Sequence, residues 1–481
     1  MSAQQPLTEL LRLRSGAPVG MAEFAIHGRD PFYRTPYRAG EVTAATLAAT
    51  GIAANDIWEI RTGRRQKIEI GVREAAATLR STDYTLRRDE SGAYRTIPIS
   101  DSMAHMHTIT QPWPTRDGRW FLPHFNLPNL QARMLGVLKC DATPAGVGAA
   151  IARWNADELE NAIADARACG GKIRTTAEWL AHPHGAYLSS RPPVEIQRSG
   201  DSPPENFHPG DRPLSGVRVL DLTRILAGPI SGRSLAEHGA DVLMVTAENL
   251  PQVPEFVRDT SHGKRSCFLD LKRKDDARQF AELVRSADVI IDGYRPGAIA
   301  SLGFDVQQLA ALRPGIVYLS VSCFGSGGPF ADRGGWEQIA QAVTGVCQTN
   351  GELGGAAQPK LVRATMCDYN TGYLAAYGVM LALARRAQEG GSWAVRVSLC
   401  QTAMFIRRQG LLAEFSDGPE RLGETELGRY YVAADTAYGA LKTLGPVLQM
   451  SETQPRWARS TPRLGGDRAE WLPRDPVAKP H

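Results

Sequence analysis

From residue 213 onward the chain alternates short apolar runs with helical patterns, and few architectures accept that alternation. VRVLDL (217–222), DVLMV (241–245), VIIDGY (289–294) and GIVYLSVSCFG (315–325) read as buried strands. Between them AGPISGRSLAEHG (227–239) reads as a turn and helix, and ARQFAELVRSA (277–287) as a helix. Strands apolar on both faces, separated by helices, predict an α/β fold with a parallel sheet covered on both sides. Ligands of such sheets sit beyond the carboxyl ends of the strands. Here those ends carry Thr223–Pro229, Asp292–Gly297 and Cys323–Pro329, all rich in glycine or proline.

Charge and cysteine usage remove several function classes. Among 481 residues, 55 Lys and Arg oppose 51 Asp and Glu, a formal charge of +4. That excess is too small for a duplex-binding surface, so no nucleic-acid partner is expected. The seven cysteines are dispersed without CxxC spacing, which predicts reduced thiols and neither a disulfide frame nor a zinc site. MSAQQPLTELLRLRSG lacks the apolar run of a signal peptide. The longest apolar stretch, Tyr373 to Ala384, falls well short of the roughly 20 residues a membrane span needs. A cytoplasmic protein with no membrane partner is the expectation.

Upstream, residues 41–80 hold an Ala-rich helical pattern and then a short strand, KIEIGV. QPWPTRDGRWFLPHF turns at Asp117-Gly118 between two strand-like runs. Residues 155–170 read as a helix capped by Asn155, with Glu158 at its third position and Gly170 at its end. Pro192 to Pro213, dense in Pro, Ser, Gly and Asp, reads as a linker. A repeat is also present. Shifting the segment that begins at Asp368 back by 327 residues lays it on the segment that begins at Glu41. Leu374, Ala375, Ala376 and Gly378 then coincide with Leu47, Ala48, Ala49 and Gly51 without a gap.

The first strand–helix turn, DLTRILAGPISGR, lacks the GxGxxG dinucleotide pattern, so a nicotinamide site is not expected. It can still present backbone N–H groups to a phosphate or thioester. His105 with His107, and His182 with His184, have no further ligands at suitable spacing, and no metal is expected. Ser326 in CFGSGGPF does not sit in GxSxG, and apart from terminal His481 no histidine follows it suggestively. Asp368 stands just before an almost uncharged helix (371–384). It reads either as a helix cap or as a nucleophile for acyl transfer, and pattern alone favours the cap. Glu337, opening the helix of GGWEQIAQAVTG, carries the same ambiguity.

Five passages together resemble a known family. They are PLSGVRVLDLTRILAGPISGRSLAEHGADVLMV, HGKRSCFLDLK, DGYRPGAIASLGF, VSCFGSGGPFADRGGWEQIAQAVTG and CDYNTGYLAAYGVMLALARR. In this order they resemble the class III CoA-transferases, which include formyl-CoA and carnitine CoA-transferases and the related 2-methylacyl-CoA racemases. The likeness runs from Pro213 to about Gln409. It implies a Rossmann-like large domain plus a smaller α+β domain, and a CoA exchange between acids with Asp368 of CDYNTG as nucleophile. Racemases of the family carry Gly-His-Asp where this chain has Gly335-Trp336-Glu337. Trp cannot move a proton, so a transferase is favoured, with Glu337 as a supporting carboxylate.

The resemblance further implies that Lys264 and Arg265 meet CoA phosphates, although in the sequence they read equally well as a solvated turn. It implies that Ala227, Gly228, Tyr294 and Arg295 line the nucleotide and pantetheine path. No cofactor is expected to be held permanently; coenzyme A or its acyl ester enters as substrate beside a carboxylic acid. Three positions depart from the relatives: Ala247 for a basic residue, Gly293 for Asn, and Ser301 for Arg, with Arg224, Arg258 or Arg295 as candidate replacements.

The domain order departs too. The layout expected is a partial copy of the nucleophile-helix region (1–99), a small-domain-like segment and return (100–200), a linker (201–213), the large domain (214–410) and a C-terminal return segment (411–481). Glu41 takes the nucleophile's place in the first copy and is expected to be inert. Relatives interlock as dimers, so a homodimer, possibly interlocked, is expected. The rival readings are a CoA-ester isomerase, lyase or racemase on the same scaffold, and a non-catalytic CoA-binding homologue.

Overall fold

The computed structural model describes residues 3–16, 18–20 and 22–474. His481 and the end of the expected return segment lie outside them. In chain order, strand β1 (Phe24–His27), helix α1 (Ala39–Thr62) and strand β2 (Ile68–Gly71) come first. A smaller α+β unit follows. Its short strands Trp113–Pro114, Trp120–Pro123 and Gly170–Lys172 pair antiparallel, and the helices around them enclose a core of their own that includes Phe121, Phe125, Met134 and Ile163.

The main sheet has seven strands: β3 (Glu195–Gly200), β4 (Arg218–Asp221), β5 (Asp241–Thr246), β6 (Lys264–Phe268), β7 (Val289–Asp292), β8 (Val317–Ser322) and β9 (Ser392–Ser398). Their order is β6-β5-β4-β7-β8-β9-β3, with six strands parallel and β3 antiparallel at the edge. The fold is therefore α/β, and the strand order reverses between β4 and β7. At such a reversal neighbouring connections leave toward opposite faces and open a crevice beyond the strand ends.

Helices α2 (Ala227–Glu237) and α4 (Met366–Glu389) pack on this sheet, while α3 (Glu337–Val343) packs on α4 and on the strands of the smaller unit. The internal repeat of the sequence is a repeat of structure. α1 and α4 are both 24 residues long, and the 327-residue offset superposes their first and last residues. Each is followed by a strand and then a helix, Val72–Thr78 after β2 and Leu399–Arg408 after β9. The two long helices pack on each other, and Asn370 Nδ2 donates to Oγ1 of Thr43, its own counterpart in the repeat, at 3.1 Å. Both are buried on nearly every side through their first four turns. An Ala-rich helix with no polar face is stable only in such an interior.

Described residues between Leu7 and Tyr84, those of α1 and β2 among them, share one hydrophobic core with α2, α4 and the main sheet. Strand β10 (Gln449–Met450) edges β2 antiparallel, just as β3 edges β9. The segment 201–213 has no helix or strand, yet it is strapped down: Glu205 pairs with Arg313 at 2.6 Å, and Ser202 Oγ accepts from Gly391 N at 3.0 Å. No described helix is long and apolar enough to cross a membrane.

Candidate active site

Helix α4 begins at Met366, so Asp368 is its third residue and not the residue before it. The first turn is not capped by its own N-cap, Thr365. Glu337, the first residue of α3, supplies the acceptor from outside. Its Oε1 accepts from Cys367 N at 3.2 Å and its Oε2 from Asp368 N at 2.7 Å, while Gln341 Nε2 donates to Oε1 at 2.7 Å. A carboxylate at a helix N-terminus with three donors has its charge well compensated.

Asp368 is thereby released from the capping role. Its side chain is only 6% exposed and accepts no hydrogen bond among the described residues. Burial, and then the charge of Glu337, push its pKa well above the usual carboxylate range. Burial also raises Glu337, against hydrogen bonds from Gln341, from the backbone of Asp368 and Cys367 and from the Cys367 side chain, which lower it. A buried carboxylate with no donors is costly, which makes Asp368 the candidate reactive group of the site.

Asp368 looks into two cavities. The first, about 390 Å³, lies at the reversal of strand order, among Thr223–Gly228, Gly293–Pro296 and Val321–Cys323, and the small unit closes it with Leu130, Arg133 and Arg167. The second, about 480 Å³, lies on the other side, against residues 96–107 and the helix Pro254–Thr260. Ile225, Leu226, Trp336 and Asp368 border both.

The partition is built by close backbone approaches. A Cβ on Gly372, one turn beyond Asp368, would stand 2.7 Å from Ala227 O and 2.6 Å from Ile230 Cβ, so glycine there lets the start of α2 come close to the first turns of α4. Ile225 holds φ at +79°, a left-handed conformation that a β-branched residue rarely tolerates. The N–H groups of Leu226, Ala227 and Gly228 then find no intramolecular acceptor among the described residues. They are the donors that every helix start leaves open.

The structure sorts the remaining expected contacts. Ala227, Gly228, Tyr294 and Arg295 all line the first cavity. Lys264 and Arg265 do not, and their expected phosphate contact is corrected. Lys264 is wholly buried beneath α2, with Nζ 2.7 Å from Asp221 Oδ2 and donating to Pro229 O at 2.7 Å. Arg265 pairs with Asp241 at 3.1 Å and donates to Glu470 O at 2.8 Å. Both cations are consumed by the fold.

The cations free for an anion are others. Arg133, Arg224 and Arg295 line the first cavity, and none has an ion pair among the described residues. They bond carbonyl oxygens instead: Arg133 and Arg295 both donate to Arg167 O, and Arg224 to Pro251 O. Arg133, from the small unit, carried no signal in the sequence. Gly293, where the relatives were expected to have Asn, faces Thr223. A Cβ there would lie 3.0 Å from Thr223 Cγ2, a tight contact.

The histidines support structure. His184 Nε2 reaches Phe324 O at 2.8 Å and its Nδ1 accepts from Phe330 N at 3.1 Å. His124, in the second cavity, is held neutral by burial, its pKa lowered to about 4. Its Nε2 bonds Gln338 Oε1 at 3.0 Å and its Nδ1 accepts from Asn126 N at 3.3 Å, so neither nitrogen is open to abstract a proton. Among the described residues no cluster of His, Cys, Asp and Glu is arranged to hold a metal.

Comparison with known proteins assigns the family. The profile of CoA-transferase family III matches residues 214–435. An acyl-CoA transferase of Gibberella moniliformis is 30% identical over 407 residues, covering 78% of this chain and 71% of that protein. The chain belongs to CoA-transferase family III. The acetyl-coenzyme A transferase nodX of Hypoxylon pulicicidum is 32% identical over 60% of this chain, and the succinate–glutarate CoA-transferase of Agrobacterium fabrum 35% identical over 37%. The chain spans about half the length of these last two relatives, 53% and 49%. Its family III match begins at the linker's end and takes in both site carboxylates, Glu337 and Asp368.

Proposed function

We propose that this family III protein moves CoA from an acyl-CoA to a carboxylic acid, with Asp368 as the covalent nucleophile. One observation carries the reading. Asp368 is a bare, buried carboxylate standing between a cavity lined with unpaired arginines and a second, separate cavity.

In this reading the first cavity takes CoA. Arg133, Arg224 and Arg295 meet its phosphates, and the thioester carbonyl reaches Asp368. An oxygen of Asp368 attacks the carbonyl carbon, the C–S bond breaks, and a mixed anhydride and CoA thiolate result. The open N–H groups of Leu226, Ala227 and Gly228 receive the oxyanion of each tetrahedral state. The thiolate then attacks the Asp368 carbonyl and expels the donor acid, leaving an aspartyl-CoA thioester. The acceptor carboxylate attacks that thioester and expels thiolate, which finally takes the acceptor's acyl carbon and frees Asp368. No water, metal or redox partner enters the balance, and CoA is a substrate rather than a resident cofactor.

The elevated pKa of Asp368 suits this role, because a more basic carboxylate is a better nucleophile once ionised. Trp336 where racemases need His, with both nitrogens of His124 engaged, speaks against exchange of an α-proton. Relatives named for succinate–glutarate and for acetyl-CoA:oxalate exchange fit acids as both donor and acceptor. Seven free thiols fit a reducing compartment, taken as the cytoplasm. Homodimerisation is compatible with this reading but not required by it, since both cavities are walled by one chain.

The test is trapping. Incubation with an acyl-CoA followed by hydroxylamine is expected to leave a hydroxamate on Asp368; no modification with any thioester overturns the reading.

A further inference from the structure

A third cavity, of about 580 Å³, shares no lining residue with the two cavities that meet at Asp368. Two helices that begin at the active site end on it. α3 starts at Glu337, and its C-cap Thr344, about 10 Å further along, borders this cavity. The helix Leu399–Arg408 starts at a wall of the first cavity and brings Met404, Arg407 and Arg408 here in its second half.

The lining divides by chemistry. Leu13, Trp179, Leu180, Pro193 and Met404 form an apolar surface. Trp179 is wholly buried, and its one side-chain donor, Nε1, is spent on Met404 Sδ at 3.2 Å. Leu180 is 48% exposed although large and apolar.

Four arginines and one acid complete the wall: Arg12, Arg191, Arg407, Arg408 and Glu9. The acid is committed. Its Oε1 accepts from Arg408 Nε at 2.9 Å and its Oε2 from Gln409 Nε2 at 3.0 Å. Arg191 has Glu195 at 4.0 Å and the ring of Tyr187. The side chain of Arg407 makes no ion pair or hydrogen bond among the described residues, and its Nε is shut from solvent without an acceptor. Tyr37 lies in its field, but burial keeps that phenol neutral and it donates to Val346 O at 3.3 Å. The Arg12 side chain is likewise unpaired among the described residues. Four guanidinium charges thus face a single carboxylate that is already neutralised.

We infer that this cavity binds an amphiphilic carboxylate, its apolar body on Leu180, Pro193 and Met404 and its head on Arg407 and Arg12. The site stands apart from the Asp368 reading and does not depend on it. Its volume lies in the range of small-molecule sites. Apolar contact favours any chain whatever its head. An unpaired, half-buried guanidinium favours a carboxylate, whose two oxygens match its planar fork. A ligand carrying both parts is therefore held more tightly than one carrying either alone.

The active site also meets carboxylic acids, so the test resolves binding by location. A diazirine-bearing alkyl carboxylate is photolysed on the full chain, and labelled peptides are identified by mass spectrometry. Label is expected on the peptides that carry Leu180 or Met404. Octanoate is expected to protect them at concentrations about tenfold or more below those needed by acetate, which lacks the chain, or octylammonium, which reverses the head. Arg407→Met and, at the exposed wall, Leu180→Asp each weaken that protection about tenfold with little change in melting temperature. Labelling confined to the cavities around Asp368 overturns the site, as does protection that both substitutions leave unmoved. Equal protection by octanoate and octylammonium overturns the carboxylate class. A chain that sediments as a dimer and becomes monomeric with Leu180→Asp makes a second copy the occupant, and the inference falls.

Discussion

Glu41 and Asp368 are the third residues of two equal helices that pack together, and they meet opposite fates. Glu41 Oε2 is held by Arg38 Nη1 at 2.8 Å; the Asp368 carboxylate accepts no hydrogen bond among the described residues. The caps match as well. Asp30 accepts from Gly40 N and Glu41 N, as Glu337 does from Cys367 N and Asp368 N. The first copy thus keeps the frame of the site with its acid neutralised.

That contrast separates two substitutions. Asp368→Asn is expected to abolish CoA exchange, by about a thousandfold or more, as loss of a covalent nucleophile does. Glu41→Gln is expected to leave the rate within about twofold, because Glu41 is buried against Arg38 and borders neither cavity. Initial rates with one acyl-CoA and one acid decide both.

The same asparagine variant has a stability signature. The native pKa of Asp368 lies above its unfolded value. Its contribution is therefore fully present at acid pH and is lost as pH rises through the raised value. Asp368→Asn removes that loss. Its melting temperature should equal or exceed that of the parent, with the gap widening from acid toward neutral pH in a calorimetric series.

Glu337→Gln addresses the neighbouring charge. Attack requires ionised Asp368, so adduct formation accelerates as pH rises through its pKa. Removing the Glu337 charge takes away the second cause of the elevation and leaves burial, the first. The acid limb of the pH–rate profile should move to lower pH. Loss of one cap acceptor should also destabilise α4 by about 1 kcal/mol. An unmoved acid limb contradicts the coupling.

Lys264 and Arg295 should part in kind. Lys264→Met leaves Asp221 charged in the interior and is expected to cost about 3–5 kcal/mol of stability. Arg295→Met removes a cavity cation and is expected to raise KM for acyl-CoA about tenfold with little change in melting temperature. Denaturant titration and steady-state kinetics on both variants check the division.

Much of this arrangement was legible from residue order, for definite reasons. The strand–helix alternation after residue 213 dictates a parallel sheet, and burial on both faces is written into runs such as VIID. The repeat was legible because both copies sit in the same core and keep the same small residues. Asp368 and Glu337 were visible as acids at helix starts, but which of them caps the helix depends on how α3 lies against α4, and no local pattern encodes that. Lys264 misleads for the same reason. A lysine after His-Gly looks exposed, and only the tertiary position of Asp221, 43 residues earlier, turns it inward. Arg133 enters the first cavity from a separately folded unit, so its role follows from docking alone.

The central claim is that Asp368 is acylated in every turnover, and heavy-oxygen transfer tests it most directly. When the acceptor acid carries the heavy isotope in its carboxylate, its attacking oxygen becomes the bridge of the anhydride and stays with Asp368 when thiolate departs with the acyl group. The account predicts that the tryptic peptide 364–385 gains heavy oxygen at Asp368 during turnover and not without the acyl-CoA donor. Turnover that leaves this peptide at its natural mass contradicts it.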